Sequence, residues 1–438
     1  MLPDLVTEIP GPRSLALAEK LRKYESQNVT YTADDWPVFW ERASGTNVWD
    51  ADGNRFVDLT SAFGVAGLGH THDPLTEAIH EQSDKLIHGM GDVHPTELKV
   101  NVCQLLSEMT FERWGLGIGK SVLSNSGSEA VESALKTAFI ATGKPGVICF
   151  TGGYHGLGYG ALLGGGFDKF RKPFEPQLAE VRVELSFPNH EEDLQVLKQQ
   201  LDTVDVSGFG ALLVEPIQGR GGKIVPPQGF LKVLREWCNE NGVILIFDEI
   251  YSGFNRTGKM FACEWEGIYP DLICLGKALS GGYPISACVG KAEVMDQWPV
   301  SFGEALHTST FLGNPLGCAM AVKALTIHKQ SHLADDVLKQ GEELMAMLSE
   351  IDSSLIHEIR GRGMMIGMEL RNPDGTPAGE QAGEVLSKML AKGIIMLADG
   401  PSGNVLAFTP PFYMKLGELV FVVESLREIL TEPKPYLR

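Results

Sequence analysis

The chain has 438 residues, a net charge of −19 and 50 glycines, where an average globular composition would place roughly 30. Its 43% hydrophobic content is too high for a disordered chain, and no Gly-X-Y period makes the glycines collagenous. The acidic balance excludes polyanionic partners: nucleic acid or an acidic membrane would repel the chain, and no Lys/Arg run offers a local exception.

At this length two or three packed units are expected rather than one small core. The seven cysteines, at 103, 149, 238, 263, 274, 288 and 318, form no CxxC pair. Several sit inside apolar runs, so they read as reduced, buried thiols of a cytoplasmic protein. The opening MLPDLVTEIPGP lacks the basic and apolar regions of a secretory leader. No apolar run approaches the roughly 18 residues of a membrane span.

In chain order, residues 47–59 read as a hairpin, NVWD and RFVDL around an Ala51-Asp52-Gly53-Asn54 turn. From about 119, short apolar runs (SVLSN, GVICF, AEVRVEL, ALLVEP, VILIFDE, DLICLG, ISACVG) alternate with amphipathic stretches, including 128–141, 191–203 and 227–241. Runs apolar throughout are what strands buried on both faces require, so the alternation predicts an α/β unit with a mostly parallel sheet. After about 330 the texture changes. Helical stretches at 331–350, 378–391 and 415–430 flank strands near 355–370 and 404–408, which predicts a separate α+β unit packed with the N-terminal hairpin.

Three segments carry chemistry. In Ser124-Asn125-Ser126-Gly127-Ser128-Glu129, Ser126 and Glu129 have capping-box spacing, and Ala130, Val131, Ala134, Leu135 and Ala138 then share one helical face. Such a helix start offers free N–H groups and a positive dipole end to an anion. In Gly242-Val-Ile-Leu-Ile-Phe-Asp248, a carboxylate ends an apolar strand, the edge where α/β sheets bind ligands; its burial demands a cationic partner. In Asp271-Leu-Ile-Cys-Leu-Gly-Lys277, a lone lysine follows another apolar run among small residues, and desolvation would drive it toward the nucleophilic neutral amine. Singly, these could be a plain N-cap, a strand-exit carboxylate and a snorkelling lysine. Together they match the three needs of pyridoxal phosphate: a phosphate cradle, a carboxylate for the ring nitrogen and a lysine for the aldehyde.

Rival motifs are weaker. Gly119-Lys120-Ser121 would need a glycine where Trp114 stands to be a P-loop. Ala278-Leu-Ser280-Gly-Gly282 approximates a serine-hydrolase elbow, which leaves a hydrolase using Ser280 as a distant alternative. His70-Thr-His72-Asp73 indicates no further ligand set, so no metal is expected.

From about residue 45 onward the chain resembles the class III aminotransferases of the fold-type-I pyridoxal-phosphate enzymes. The signatures are VWDADGNRFVDL, LGHTH, SNSGSEAVESALKTA, GGYHG, VEPIQGRGG, FDEIYSGFNRTGKMFACE, PDLICLGKALSGGYPISA, TFLGNPLGCA and IRGRGMMIGMEL. The resemblance implies an α/β fold: a large cofactor-binding domain at 60–325 with a mostly parallel central sheet, and a smaller α+β domain from 326–438 joined by residues 1–59. It implies Lys277 as Schiff-base lysine and proton carrier, and Asp248 on the pyridine nitrogen. Gly127 and Ser128 would hold the phosphate, with Tyr154 and Ile250 on the two faces of the ring. Thr310 would reach the phosphate of a neighbouring subunit, hence a homodimer. The implied reaction is a ping-pong transfer of an amino group from a primary amine or omega-amino donor to an oxo-acid or aldehyde.

The sequence departs from many relatives where they bind substrate carboxylates. Leu157 stands where an arginine commonly follows YHG, Ala407 where one precedes the late PP pair, and Leu397 near a third such place; no arginine occurs between Arg371 and Arg427. A guanidinium clamp is not replaced conservatively. Glu215 of VEPIQG would therefore lose a cationic partner, and is expected to receive a polar or cationic part of the substrate. Phe63 and Leu157 are expected to line the pocket, together with the glycines 164–166. A racemase, epimerase or aminomutase using the same cofactor machinery is the alternative.

Overall fold

The computed structural model describes residues 1–431 apart from 32, 34, 35 and 331. The first residue of the helical stretch expected at 331–350, and the end of the unit expected at 326–438, thus lie outside the described residues. The strands are β1 (Trp40–Ser44), β2 (Asn47–Asp50) and β3 (Arg55–Asp58); then β4 (Gly119–Ser124), β5 (Gly146–Phe150), β6 (Arg182–Leu185), β7 (Phe209–Val214), β8 (Ile244–Asp248), β9 (Leu272–Leu275) and β10 (Ser286–Lys291); and finally β11 (Ile356–Arg362), β12 (Met365–Leu370), β13 (Ile394–Ile395), β14 (Leu397–Asp399) and β15 (Val405–Phe408).

The seven apolar runs become one seven-stranded sheet of order β4-β10-β9-β8-β7-β5-β6. β10 alone runs antiparallel to its two neighbours, and the remaining pairings are parallel. This is the mostly parallel α/β sheet that the alternation predicts. β8 and β9 are buried almost throughout because helices cover both faces. β6 lies at an edge and is only partly covered, which is why its run is the most polar.

The helix Gly127–Thr142 begins with the expected capping box: Ser126 Oγ accepts from the Glu129 amide, and the Glu129 carboxylate accepts from the Ser126 amide. Ala130, Val131, Ala134 and Ala138 face the sheet and are buried. It ends on Gly143 in the left-handed conformation, the usual C-terminal cap. The helix expected at 227–241 starts later, at Phe230. Pro226 and Pro227 hold the preceding chain extended.

Two four-stranded sheets flank the large one, β1-β2-β3-β13 and β11-β12-β15-β14. Val57 and Asp58 of the N-terminal hairpin pair with Ile394 and Ile395, more than three hundred residues away. Val57 and Leu59 are also buried with Leu344, Met389, Leu406 and Val422. The N-terminal hairpin thus shares its packing with the C-terminal unit.

Candidate active site

The ends of five strands meet along one edge of the large sheet. Asp248 ends β8, Glu215 follows β7, and Lys277 follows β9 after Gly276. Ser126 to Ser128 follow β4, and Tyr154 and His155 follow β5. The carboxyl edge of an α/β sheet is where such folds bind ligands, because strand exits and helix starts converge there. Here they enclose a cavity of about 580 Å³ lined by Lys277, Asp248, Glu215, Gly127, Ser128 and Tyr154, among others. That volume suits a small organic cofactor and substrate.

Lys277 is held in a left-handed backbone conformation, φ +43°. Such strain in a non-glycine residue persists only where the surroundings enforce it. Its Nζ stands 4.7 Å from the centroid of the Tyr251 ring. Burial pulls its pKa below the ordinary lysine value, opposed by Tyr251, Asp248 and Glu215 and assisted by the charge of Lys223. The neutral amine is thereby favoured over its exposed counterpart, as a nucleophile requires.

Asp248 has the partner its burial demands, an imidazole that is a cation when protonated. Its Oδ2 lies 2.8 Å from His155 Nδ1, and its Oδ1 accepts from the Ile250 amide at 3.1 Å. Burial works against an imidazolium at His155. The hydrogen bond and charge of Asp248, with Glu215 further off, nonetheless raise its pKa above the ordinary value. His155 was not singled out in the sequence, although a buried carboxylate called for a cation and His155 adjoins Tyr154. Its other nitrogen, Nε2, is buried without a partner among the described residues.

Among the described residues, Glu215 has no cation on its oxygens. Oε1 accepts from the Tyr154 amide and Oε2 from the Gly219 amide, both at 2.9 Å. Burial pushes its pKa up to about 7, held back by His155 and the two amides and helped by the charge of Asp248. The missing late arginine is not replaced at this carboxylate. Backbone donors satisfy it, and it stays close to protonation at neutral pH.

The amides of Gly127 and Ser128 have no protein acceptor among the described residues, as expected for the first turn of a helix. Both residues line the cavity, so an anion bound there would meet two free donors and the positive end of a 16-residue helix. Two glycines keep this corner open to backbone. A Cβ on Gly127 would come within 2.9 Å of Ile250 Cδ1, and one on Gly156, at φ +114°, within 2.6 Å of Ser128 Cβ. An anion cradle, a buried lysine and a paired carboxylate on one cavity are the donor set that pyridoxal phosphate requires, so the residues present fit that group.

The remaining sequence candidates separate. Tyr154, Ile250, Leu157, Ala407 and Phe63 all line the cavity. Phe63 does so from a left-handed stretch, Ser61 to Phe63, that leaves it 65% exposed. The glycines 164–166 do not line it: a Cβ on Gly166 would stand 2.3 Å from Phe150 O and one on Gly164 2.8 Å from Leu213 Cδ2, so these two serve close packing. Thr310 is exposed and lies away from the cavity of its own chain. Ser280 is fully buried, and its hydroxyl is spent in its own turn, donating to Tyr283 O at 2.6 Å. His70 is taken by Asp58, 2.7 Å away.

Two cations escaped the sequence reading. Lys223 is fully buried, 2.7 Å from Asp399 and 3.1 Å from Tyr251 Oη, which also meets Thr409 Oγ1 at 3.1 Å. Arg220 lines the cavity itself, its guanidinium 4.8 Å from the Tyr154 ring and 5.0 Å from that of Phe170. Both sit in the glycine-rich QGRGGK segment, and their charges were the available signal.

Known proteins resemble the chain over nearly its whole length. A family model, aminotransferase class-III, matches residues 29–430. A 4-aminobutyrate aminotransferase of Mycobacterium leprae is 37% identical, covering 98% of this chain and 98% of its own length. An alanine/serine racemase of Pyrococcus horikoshii is 32% identical over 94% of this chain and 89% of that protein. Among solved structures, an aminotransferase of Bacillus anthracis superposes with a TM-score of 0.87 at 27% identity, covering 95% of this chain and 98% of the other. The chain belongs to the class III aminotransferases, fold-type-I enzymes that move amino groups with pyridoxal phosphate.

Proposed function

We propose that the enzyme takes an amino group from a primary amine or omega-amino donor and passes it to an oxo-acid or aldehyde by a ping-pong cycle. The observation that carries this reading is the joint one: a desolvated lysine, a carboxylate–imidazole pair and two free helix amides face one cavity. When bound, pyridoxal phosphate supplies an electrophilic carbon for amines and a ring that withdraws electrons from the reacting carbon. Gly127 and Ser128 would hold its phosphate, Tyr154 and Ile250 would flank its ring, and Asp248 would keep a proton on the ring nitrogen. Lys277 Nζ would bind the aldehyde at rest and, once displaced by the incoming amine, would be the base for the proton on the carbon that bears the amino group.

A racemase reading keeps the same residues and returns that proton to the carbon it came from. The racemase among the relatives favours it. One experiment separates the two. Amines are added to the cofactor-loaded enzyme without an acceptor, and the visible band of the cofactor is followed. Transamination bleaches the band and releases a carbonyl product. A band that persists while a chiral donor loses its optical activity would sink the aminotransferase reading. The same panel tests Glu215, which we assign to a second amine or hydroxyl of the donor. Glu215→Gln preserves shape and removes the buried charge, but its NH₂ must face one of the two backbone N–H groups that Glu215 accepts from, so thermal unfolding of the variant is compared with wild type alongside the panel. Its preference for diamines and amino alcohols over simple amines should fall roughly tenfold, as for one charged hydrogen bond; an unchanged preference removes Glu215 from substrate binding.

We further propose that the enzyme is a cytoplasmic homodimer, divided at about residues 59 and 325 into the expected units. No described helix is long and apolar enough to cross a membrane, and all seven cysteines are free. Ile87, Val93, Val300, Phe302, Leu306 and Phe311 are exposed apolar side chains. Their two segments are tied together by the His88–Phe311 ring contact and by Thr308 donating to Asp92 at 2.7 Å. An apolar surface of this kind marks an interface. It carries Thr310, which would meet the partner's phosphate site. Sedimentation should show a dimer that Phe302→Glu with Phe311→Glu converts to monomers with weakened cofactor retention. A wild-type monomer with full activity would refute the arrangement.

A further inference from the structure

The cavity wall that faces Lys277 from the C-terminal unit is uncharged where a carboxylate clamp would stand: Leu397 and Ala407 are directly paired across β14 and β15. Each other charged group at the cavity already has a protein partner or an assigned role. Asp248 is held by His155, Glu215 by two backbone amides, and Asp399 by the buried Lys223. Lys277 serves the cofactor in the reading above.

Arg220 is different. It lines the cavity, it makes no ion pair and its guanidinium no hydrogen bond among the described residues, and its only side-chain partners are the faces of Tyr154 and Phe170. Its backbone is fixed, because Arg220 O accepts from the Gly400 amide at 2.9 Å. This anchors the residue beside the end of β14, at the position one residue past Asp399, whose carboxylate is held by Lys223. A guanidinium remains charged at any pH the enzyme meets and presents a planar fork of donors that matches a carboxylate. Stacked on aromatic faces, it is partly desolvated and keeps its N–H edge free for an anion.

We propose that Arg220 is the carboxylate-recognition residue of this enzyme, receiving the distal carboxylate of an omega-amino acid donor and the carboxylate of an oxo-acid acceptor. The two substrates occupy the cavity in turn, so one guanidinium serves both half-reactions. With a neutral amine it stays on Tyr154 and Phe170. The function thus moves from the late strand, where Ala407 stands, to the loop after β7. This inference rests on the transaminase reading above.

The test compares δ-aminovalerate with pentylamine, donors of equal length with and without a carboxylate, by the acceptor-free bleaching of the visible band. In Arg220→Gln the ratio of kcat/KM for δ-aminovalerate to that for pentylamine should fall roughly 10- to 100-fold, the range for a charge-assisted hydrogen-bonded pair. The change should lie mainly in KM for δ-aminovalerate. An unmoved ratio overturns the proposal. If the variant does not fold or load cofactor, the wild type decides: δ-aminovalerate should outperform its carboxamide about tenfold or more, and equal rates overturn the proposal. A wild-type band that no donor bleaches refutes the transaminase reading instead, so the two failures are distinct.

Discussion

Lys277→Ala is expected to lower the rate of amine-dependent bleaching by on the order of 10⁴-fold, the upper end of what one positioned acid–base group supplies. The geometry explains both the size of the effect and its selectivity. Lys277 Nζ is the one lysine amine that lines the cavity among the described residues, and burial holds its pKa below the ordinary value. Lys223 cannot substitute. It is fully buried with Asp399 and Tyr251, and its pKa is raised: burial lowers it, and the charge of Asp399 more than restores it. Cofactor retention should be far less affected than rate, because the helix amides of Gly127 and Ser128 and the carboxylate of Asp248 are untouched. The measurement is paired: equilibrium dialysis for bound cofactor, and stopped-flow absorbance for the half-reaction. Borohydride treatment followed by peptide mass analysis should find the cofactor fixed on Lys277 in the wild type and on no residue in the variant. Activity within tenfold of wild type, or fixation on another lysine, would remove Lys277 from the chemistry.

Much of this site was legible because its parts are local. Seven apolar runs gave seven strands, Ser126 and Glu129 met as a capping box, and Asp248 and Lys277 stood at strand ends where the sheet topology brings them together. What could not be read was pairing across distance. His155 reaches Asp248 over 93 residues, and Lys223 reaches Asp399 over 176; no periodicity encodes such contacts. The two-residue strand Ile394–Ile395 is too short to carry a pattern, yet it joins the N-terminal hairpin to the C-terminal unit. Phe63 illustrates a further limit. Its position depends on three successive left-handed residues, none of them glycine, a conformation held by tertiary contacts rather than by local preference. Arg220 stood in plain view within VEPIQGRGG. Its meaning depended on finding the neighbouring carboxylates already bonded to other groups.

Asp248→Asn should be the second most damaging single change, lowering the half-reaction rate by about 10²- to 10³-fold, the cost of removing a preorganised electrostatic group. Asparagine keeps the size of the side chain, and its carbonyl can still accept from the Ile250 amide. The charge that would hold a proton on the ring nitrogen is lost. The partner suffers as well. In the wild type His155 Nδ1 faces Asp248 Oδ2 at 2.8 Å. An amide NH₂ in that place is a donor, so His155 must accept there and move its proton to Nε2, which is buried without a partner among the described residues. The pKa of His155, raised in the wild type against the opposing effect of burial, should fall steeply, which NMR of the imidazole would detect. The sign of the stability change follows. A histidine whose native pKa is raised above its ordinary 6.5 contributes stability that is complete below that value and is lost as pH climbs through the native pKa. The stability gap between wild type and Asp248→Asn, measured by denaturant titration, should therefore be widest in mild acid and narrow as pH rises. A gap that widens with pH would mean that His155 enters the pair neutral, leaving Asp248 a buried carboxylate without a cation to support it.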